Sequence, residues 1–116
     1  MLASPDIQPH LPLTEAVLFM LISLVPGPSH GYAMLKDVEV LSEGRVLLST
    51  GTLYGALKRL LEQGWIARYV EHDQAERGRV THSYELTGIG RRIIQAELAR
   101  LEALVAVGRR AAGERA

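Results

Sequence analysis

The 116-residue chain is long enough for one domain around one hydrophobic core, which leaves no room for a two-domain enzyme. Thirteen Lys+Arg balance thirteen Asp+Glu, so net charge alone argues against a polyanion-coating protein, while 47% hydrophobic and 22% charged residues are globular values that exclude a disordered chain. Zero cysteines exclude disulfides, thiolate catalysis and Cys-based zinc or iron–sulfur sites, and fit a reducing compartment.

Residues 1–12 carry Pro5, Pro9 and Pro12 and read as a flexible arm. The first ten residues hold no Lys or Arg and no apolar leader segment follows, so the expected location is the cytoplasm. The longest apolar run, Ala16 to Ile22, is far short of the roughly 18–20 residues that cross a bilayer, and no membrane partner is expected. Thr14 as N-cap and Glu15 in the first turn open a helix from about Leu13 to Val25. It is apolar on every side, which calls for other helices, and a second subunit, around it. Pro26-Gly27-Pro28 stops it. Ser29 caps a second helix to about Glu43, with Tyr32, Leu35, Val38 and Leu41 as its apolar spacing and Gly44 as terminator.

Arg45 to Leu48 is a short β-prone stretch. Ser49 then caps a third helix to about Gln63, with Leu53, Leu57, Leu60 and Leu61 as its buried stripe and Gly64 at its end. Trp65–His72 and Val80–Leu86 read as the strands of a hairpin around the polar loop 73–79, in a register that sets His72 opposite Val80. Thr87 caps a last helix to about Arg110, some 24 residues or about 36 Å. On it Ile94, Leu98, Leu101, Val105 and Gly108 are spaced as the seam of a helix-on-helix contact, widened by Ile93 and Leu104. The first two turns are expected on their own domain. The distal half outruns that core, which predicts a homodimer.

Three helices, a hairpin and an added helix form an α+β, mainly α architecture: a winged helix-turn-helix with an added long C-terminal helix. The corresponding division is an arm over 1–12, a DNA-binding domain over 13–86, a dimerisation helix over 87–112 and a disordered tail over 113–116. Charge follows these elements. Residues 1–44 hold one lysine and five acids, net −4; residues 45–92 hold eight bases and five acids, net +3; residues 93–116 hold four bases and three acids, net +1. The positive segment is the third helix plus hairpin, the parts of a winged helix that meet double-stranded DNA.

On the third helix the leucine stripe leaves Thr50, Thr52, Tyr54, Lys58 and Arg59 outward, with Glu62 behind them. Backbone N–H groups from Ser49 to Thr52 and two threonine hydroxyls suit a phosphate, and Gly51 and Gly55 permit close approach to a duplex. Arg59 is a candidate for a guanine edge. Arg77 and Arg79 flank Gly78 in the hairpin loop, with Arg68 on the adjoining strand, and suit the minor groove or the phosphates. Read structurally instead, Lys58, Arg59 and Glu62 are a solvated helix face, Tyr54 is half-buried packing, and Trp65 packs the core or hairpin.

No acid, base and nucleophile set, phosphate loop or H-E-x-x-H is present, so no enzyme, cofactor or catalytic residue is expected. His72, His82 and Asp73 share the hairpin, but the register separates the two histidines, and no metal is expected. The rival class is a winged-helix protein–protein module without DNA binding.

The runs His30-Gly31-Tyr32, Ser49-Thr50-Gly51-Thr52-Leu53-Tyr54 with Ala56-Leu57-Lys58-Arg59-Leu60, Gly64 with Ile66, and Tyr84-Glu85-Leu86-Thr87 before Gly90-Arg91-Arg92 occur in that order. In these the chain resembles the PadR family of bacterial winged-helix regulators over about Leu13 to Leu104, and its smaller subgroup with one C-terminal dimerisation helix. The resemblance implies a homodimeric repressor of an inverted-repeat operator. It implies DNA contacts for Ser49, Thr52, Tyr54 and Lys58 and a basic wing at Arg77 and Arg79. Dimerisation is expected at Ile94, Leu98, Leu101, Leu104 and Val105. Some relatives bind flat aromatic compounds between subunits, so a small aromatic effector is an expectation without assigned residues; residues 88–116 contain no aromatic side chain. The sequence departs from the family wing, because Val80-Thr81-His82-Ser83-Tyr84 lacks its proline and two of its cations. Gly88 and Ile89 also replace the acids that usually open the last helix, and each nearby glycine costs about 1 kcal/mol against alanine.

Overall fold

The computed structural model describes residues 6–72 and 80–113. Four helices, α1 (Glu15–Ser23), α2 (Gly31–Leu41), α3 (Thr50–Glu62) and α4 (Gly88–Ala111), accompany a three-stranded antiparallel sheet of β1 (Ser29–His30), β2 (Ile66–His72) and β3 (Val80–Leu86) in the order β1-β3-β2. This is a winged helix with a long added C-terminal helix. No helix among the described residues is long and apolar enough to cross a membrane.

The local signals act as their chemistry dictates. Thr14, Ser49 and Thr87 each accept the amide three residues on, from Val17, Thr52 and Gly90, and so satisfy a donor that the first helical turn leaves open. At the end of α3, Gly64 takes φ +77° while its amide meets the Leu61 carbonyl and the Trp65 amide meets Leu60. That pair of bonds is the Schellman arrangement, for which the left-handed residue is normally glycine. The hairpin register places His72 opposite Val80 and Ile66 opposite Leu86, as the sequence predicts.

Other elements differ. Ser29 does not cap α2: it pairs with Tyr84 in β1, and His30 takes the N-cap position without a side-chain bond. The third strand of the sheet is therefore Ser29–His30, and Arg45 to Leu48 is irregular. The end of α2 uses Glu43 at φ +53° as its left-handed residue, with Gly44 following at +81° and bonding its amide to the Glu39 carbonyl. The buried positions of α2 are Gly31, Met34 and Val38, leaving Tyr32 and Leu41 exposed. In α3 Ala56 takes the place expected for Leu61, which is half-buried. Residues 6–12, read as a flexible arm, lie on the body: Ile7 is buried in the core and the His10 ring meets Trp65 edge-on at 5.3 Å.

The core joins Met20, Leu21 and Leu24 of α1, Met34 and Val38 of α2, Leu53, Leu57 and Leu60 of α3, Trp65 and Ile66 beside the hairpin, and Ile93 and Ile94 of α4. Among these apolar groups sits one carboxylate. Glu97 is 1% exposed; it accepts the Leu13 amide at 2.9 Å and two bonds from Arg100, at 2.6 and 3.0 Å. The hydrogen bonds from Arg100 hold its carboxyl below the usual range against the opposing effect of burial. A group whose folded pKa is lowered contributes stability that is complete above the unfolded value and is lost as pH falls through the folded one. Glu97→Ala, which leaves the Leu13 amide without its acceptor, should cost about 2–3 kcal/mol at pH 7. The gap in urea midpoint between this variant and the wild type should shrink as pH is lowered toward 3. A gap that stays constant would mean that the charge on Glu97 contributes nothing.

The helix α4 extends past this core. Every described residue from Glu102 onward is exposed. The radius of gyration is 16.5 Å and the longest extent 62 Å, against about 13 Å of radius for a compact chain of this length.

Candidate nucleic-acid interface

The helix-turn-helix α2–α3 sets one side of α3 in the core and leaves the other outward. At its start the Ser49 hydroxyl accepts the Thr52 amide at 3.1 Å and donates to Thr52 Oγ1 at 2.9 Å. Ser49 is thereby committed to the cap, and the Thr52 hydroxyl keeps its own proton for an outside acceptor. The amides of Thr50 and Gly51 have no acceptor among the described residues. Two first-turn donors and an exposed threonine pair thus converge at the positive end of the helix, an arrangement that favours a phosphate oxygen.

Thr50, Tyr54 and Lys58 follow at four-residue spacing along one line of the exposed surface, and Thr52 and Arg59 lie across it, beyond Gly51 and Gly55. Lys58 and Arg59 are exposed and enter no ion pair among the described residues. Tyr54 is 45% exposed, and its ring lies against the first turn of α2, where a β-carbon on Gly31 would stand 2.9 Å from the tyrosine hydroxyl. Gly31 is therefore what lets the ring rest there. The His30-Gly31-Tyr32 run carries no local signal of this contact, which joins residues 23 apart in the chain.

Neither Gly51 nor Gly55 is required by the fold. A β-carbon on Gly51 meets nothing within 4 Å, and one on Gly55 meets only the Arg59 guanidinium at 3.8 Å. Both glycines lie within a helix, where alanine is the better residue, and both leave the outer surface of α3 low.

On the hairpin side Arg68 of β2 is exposed. With Tyr54, Leu57, Lys58, Leu61, Glu62 and Tyr84 it lines a cleft of about 390 Å³ between α3 and the strands. Arg77 and Arg79 lie outside the described residues. Of the predicted contact residues on α3, Tyr54 and Lys58 are thus brought to one surface with Arg68.

The predicted dimer seam divides in two. Ile94 is 7% exposed within its own chain and belongs to the core beside Ile93. Leu101 is half-buried, whereas Leu98, Leu104 and Val105 are 43%, 55% and 51% exposed. The seam on the surface begins one turn later than the spacing suggests, because α4 packs on α1 and the sheet through its first turns.

Comparison with known proteins agrees with this geometry. A model of the transcriptional regulator PadR-like family matches residues 20–96. A 37.1 kDa protein in a Streptomyces fradiae transposon is 39% identical over 83 residues, a match covering 72% of this chain and 22% of that protein. The chain therefore spans less than a quarter of that relative's length. Among solved structures, a PadR family transcription regulator from Clostridium difficile superposes with a TM-score of 0.68 at 23% identity, covering 81% of this chain and 94% of that one. Pex from Synechococcus gives 0.56 at 27% identity, covering 84% and 96%. With the family model spanning residues 20–96, more than half of the chain, this protein belongs to the transcriptional regulator PadR-like family.

Proposed function

We propose that the chain is a homodimeric repressor that reads an inverted-repeat operator with two copies of α3. Thr50, Thr52, Tyr54, Lys58 and Arg59 make the contacts, Ser49 holds the helix start, and Arg77 and Arg79 add phosphate contacts from the wing. The observation that carries this reading is the outer face of α3, where donors and bases without a partner among the described residues flank two glycines that the fold does not need. Dimerisation rests on the distal half of α4, through Leu98, Leu101, Leu104 and Val105. The half-burial of Leu18, Phe19 and Ile22 on α1 supports it, since one chain alone leaves that apolar helix partly uncovered. Release by a small aromatic molecule belongs to the same reading.

Light scattering tests the assembly. The full chain should run as a dimer of about twice its 12.7 kDa at micromolar concentration, and Leu104→Asp combined with Val105→Asp should give a folded monomer with operator affinity reduced at least a hundredfold. A wild-type monomer would overturn the dimer. Selection from the DNA upstream of the gene should return half-sites about one helical turn, or a multiple of it, apart; a single unrepeated half-site would contradict the paired reading.

A further inference from the structure

We propose, resting on the dimeric DNA-binding reading above, that Glu97 is a positioning residue: with Arg100 and the Leu13 amide it fixes the angle at which α4 leaves the body, and so the separation of the two α3 helices. The buried positions of α4 are Gly90, Ile93, Ile94 and Glu97, so a carboxylate stands where the spacing of the stripe calls for an apolar side chain. It is the only buried charged side chain among the described residues. A leucine there would remove as much surface from water without drying a charge, and replacing a buried ion pair by apolar residues is often neutral or stabilising. What the carboxylate supplies instead is direction. Its Oε2 accepts the Leu13 amide at 2.9 Å and one Arg100 nitrogen at 3.0 Å, and its Oε1 accepts a second Arg100 nitrogen at 2.6 Å. Such bonds restrict rotation as well as distance, whereas apolar contact has no preferred direction.

The place of these bonds decides what they hold. Leu13 immediately precedes the Thr14 cap of α1, and the segment before it is held by Ile7 in the core and by His10 against Trp65. Arg100 lies close to the start of the exposed half of α4, which begins at Glu102. Glu97 therefore ties α4 to the entrance of α1 at the point where α4 leaves its own core. From there α1 packs on α2, and α2 on α3, so the free half of α4 is linked to α3 through packed elements. A tilt of about 10° at Glu97 displaces the end of α4, about 20 Å further on at 1.5 Å per residue, by about 3.5 Å, close to the rise of one base pair. The exit angle of α4 thereby selects the spacing between half-sites that two α3 helices fit.

The chain has no cysteine, so Gln63→Cys, at the exposed end of α3, takes one nitroxide label per protomer without altering a proposed DNA contact. Double electron–electron resonance on the full-length dimer should give one narrow distance between the two labels. Adding Glu97→Leu should at least double the width of that distribution. Glu97→Gln, which keeps an acceptor for the Leu13 amide, should fall between the two. Met34→Ala, a truncation of a fully buried side chain in α2, lowers stability without touching these bonds and should leave the width unchanged. On operators with constant half-sites and a spacer changed by one base pair, the preference for the best spacer should fall at least fivefold in Glu97→Leu and not at all in Met34→Ala. Circular dichroism checks that each variant is folded at the temperature used, and Glu97→Gln carries the test if Glu97→Leu is not. An unchanged width, an unchanged spacer preference, or equal broadening in Met34→Ala would overturn the proposal. Labels showing no mutual distance would overturn the dimer and this proposal with it. Broadening by Glu97→Leu in a dimer that binds no duplex would instead overturn the DNA reading and uphold the positioning role.

Discussion

Gly90→Ala should lower the stability of the protein by about 3 kcal/mol or more, moving the thermal midpoint down by about 10 °C. Gly90 lies in the first turn of α4, where its amide donates to the Thr87 hydroxyl at 3.1 Å. That hydroxyl donates in turn to the Gly64 carbonyl at 2.6 Å, and the Thr87 amide meets the Trp65 carbonyl at 3.1 Å. These bonds draw α4 onto the chain that leaves α3. A β-carbon on Gly90 would fall on the Trp65 carbonyl oxygen. This oxygen is backbone, held by the Thr87 bond, so relief requires moving the start of α4 as a unit. The helix-propensity gain of about 1 kcal/mol is too small to offset that. Gly88→Ala is the control, since nothing lies within 4 Å of the added carbon, and it should be neutral or slightly stabilising. Urea denaturation of the two variants makes the comparison; equal stability would refute the close contact. In sequence Gly88 and Gly90 look alike, two glycines at a weak helix start, whereas in the fold Gly88 is dispensable and Gly90 is required.

Gly55→Ala should show the opposite balance, a fold about 1 kcal/mol more stable with operator affinity reduced about tenfold. Gly51→Ala should act in the same direction, with a smaller gain in stability because it lies in the first turn. The added methyl meets nothing within 4 Å at Gly51 and, at Gly55, only the far end of the Arg59 side chain at an ordinary 3.8 Å, so the protein itself crowds neither. Only a partner lying against α3 would clash with it. Thermal melting and fluorescence anisotropy on the same preparations read the two effects, and variants that gain stability while keeping full affinity would place the DNA elsewhere.

What the sequence made legible here is what lies within a few residues. Ser49 and Thr87 read as caps because a side-chain oxygen reaches the third amide ahead, and Gly64 reads as a terminator because the left-handed turn favours glycine. The hairpin register follows from alternation and loop length. The remaining features depend on residues far apart in sequence. Ser29–His30 is too short to alternate, and becomes a strand only because β3 lies beside it. Residues 6–12 look loose from their prolines, yet Ile7 finds the core. Glu97 sits on the apolar stripe of α4, which is itself a signal, but its partner Leu13 is 84 residues away. The outward residues of the site were readable from the leucine stripe of α3. The cleft was not, because it takes Arg68 and Tyr84 from the hairpin to close it. The neutral net charge resolves in the same way: Lys58 and Arg68 meet at one cleft, while the acidic excess of residues 1–44 lies in the arm, α1, α2 and the turn after α2.

Whether α3 lies against DNA is read from the salt dependence of operator binding in wild type and Lys58→Ala. Each phosphate contact adds about −0.9 to the slope of log K against log salt, and a dimer carries two copies of Lys58. The slope for Lys58→Ala should be shallower by about 1.8, with weaker binding at every salt concentration. An unchanged slope together with unchanged affinity would contradict it.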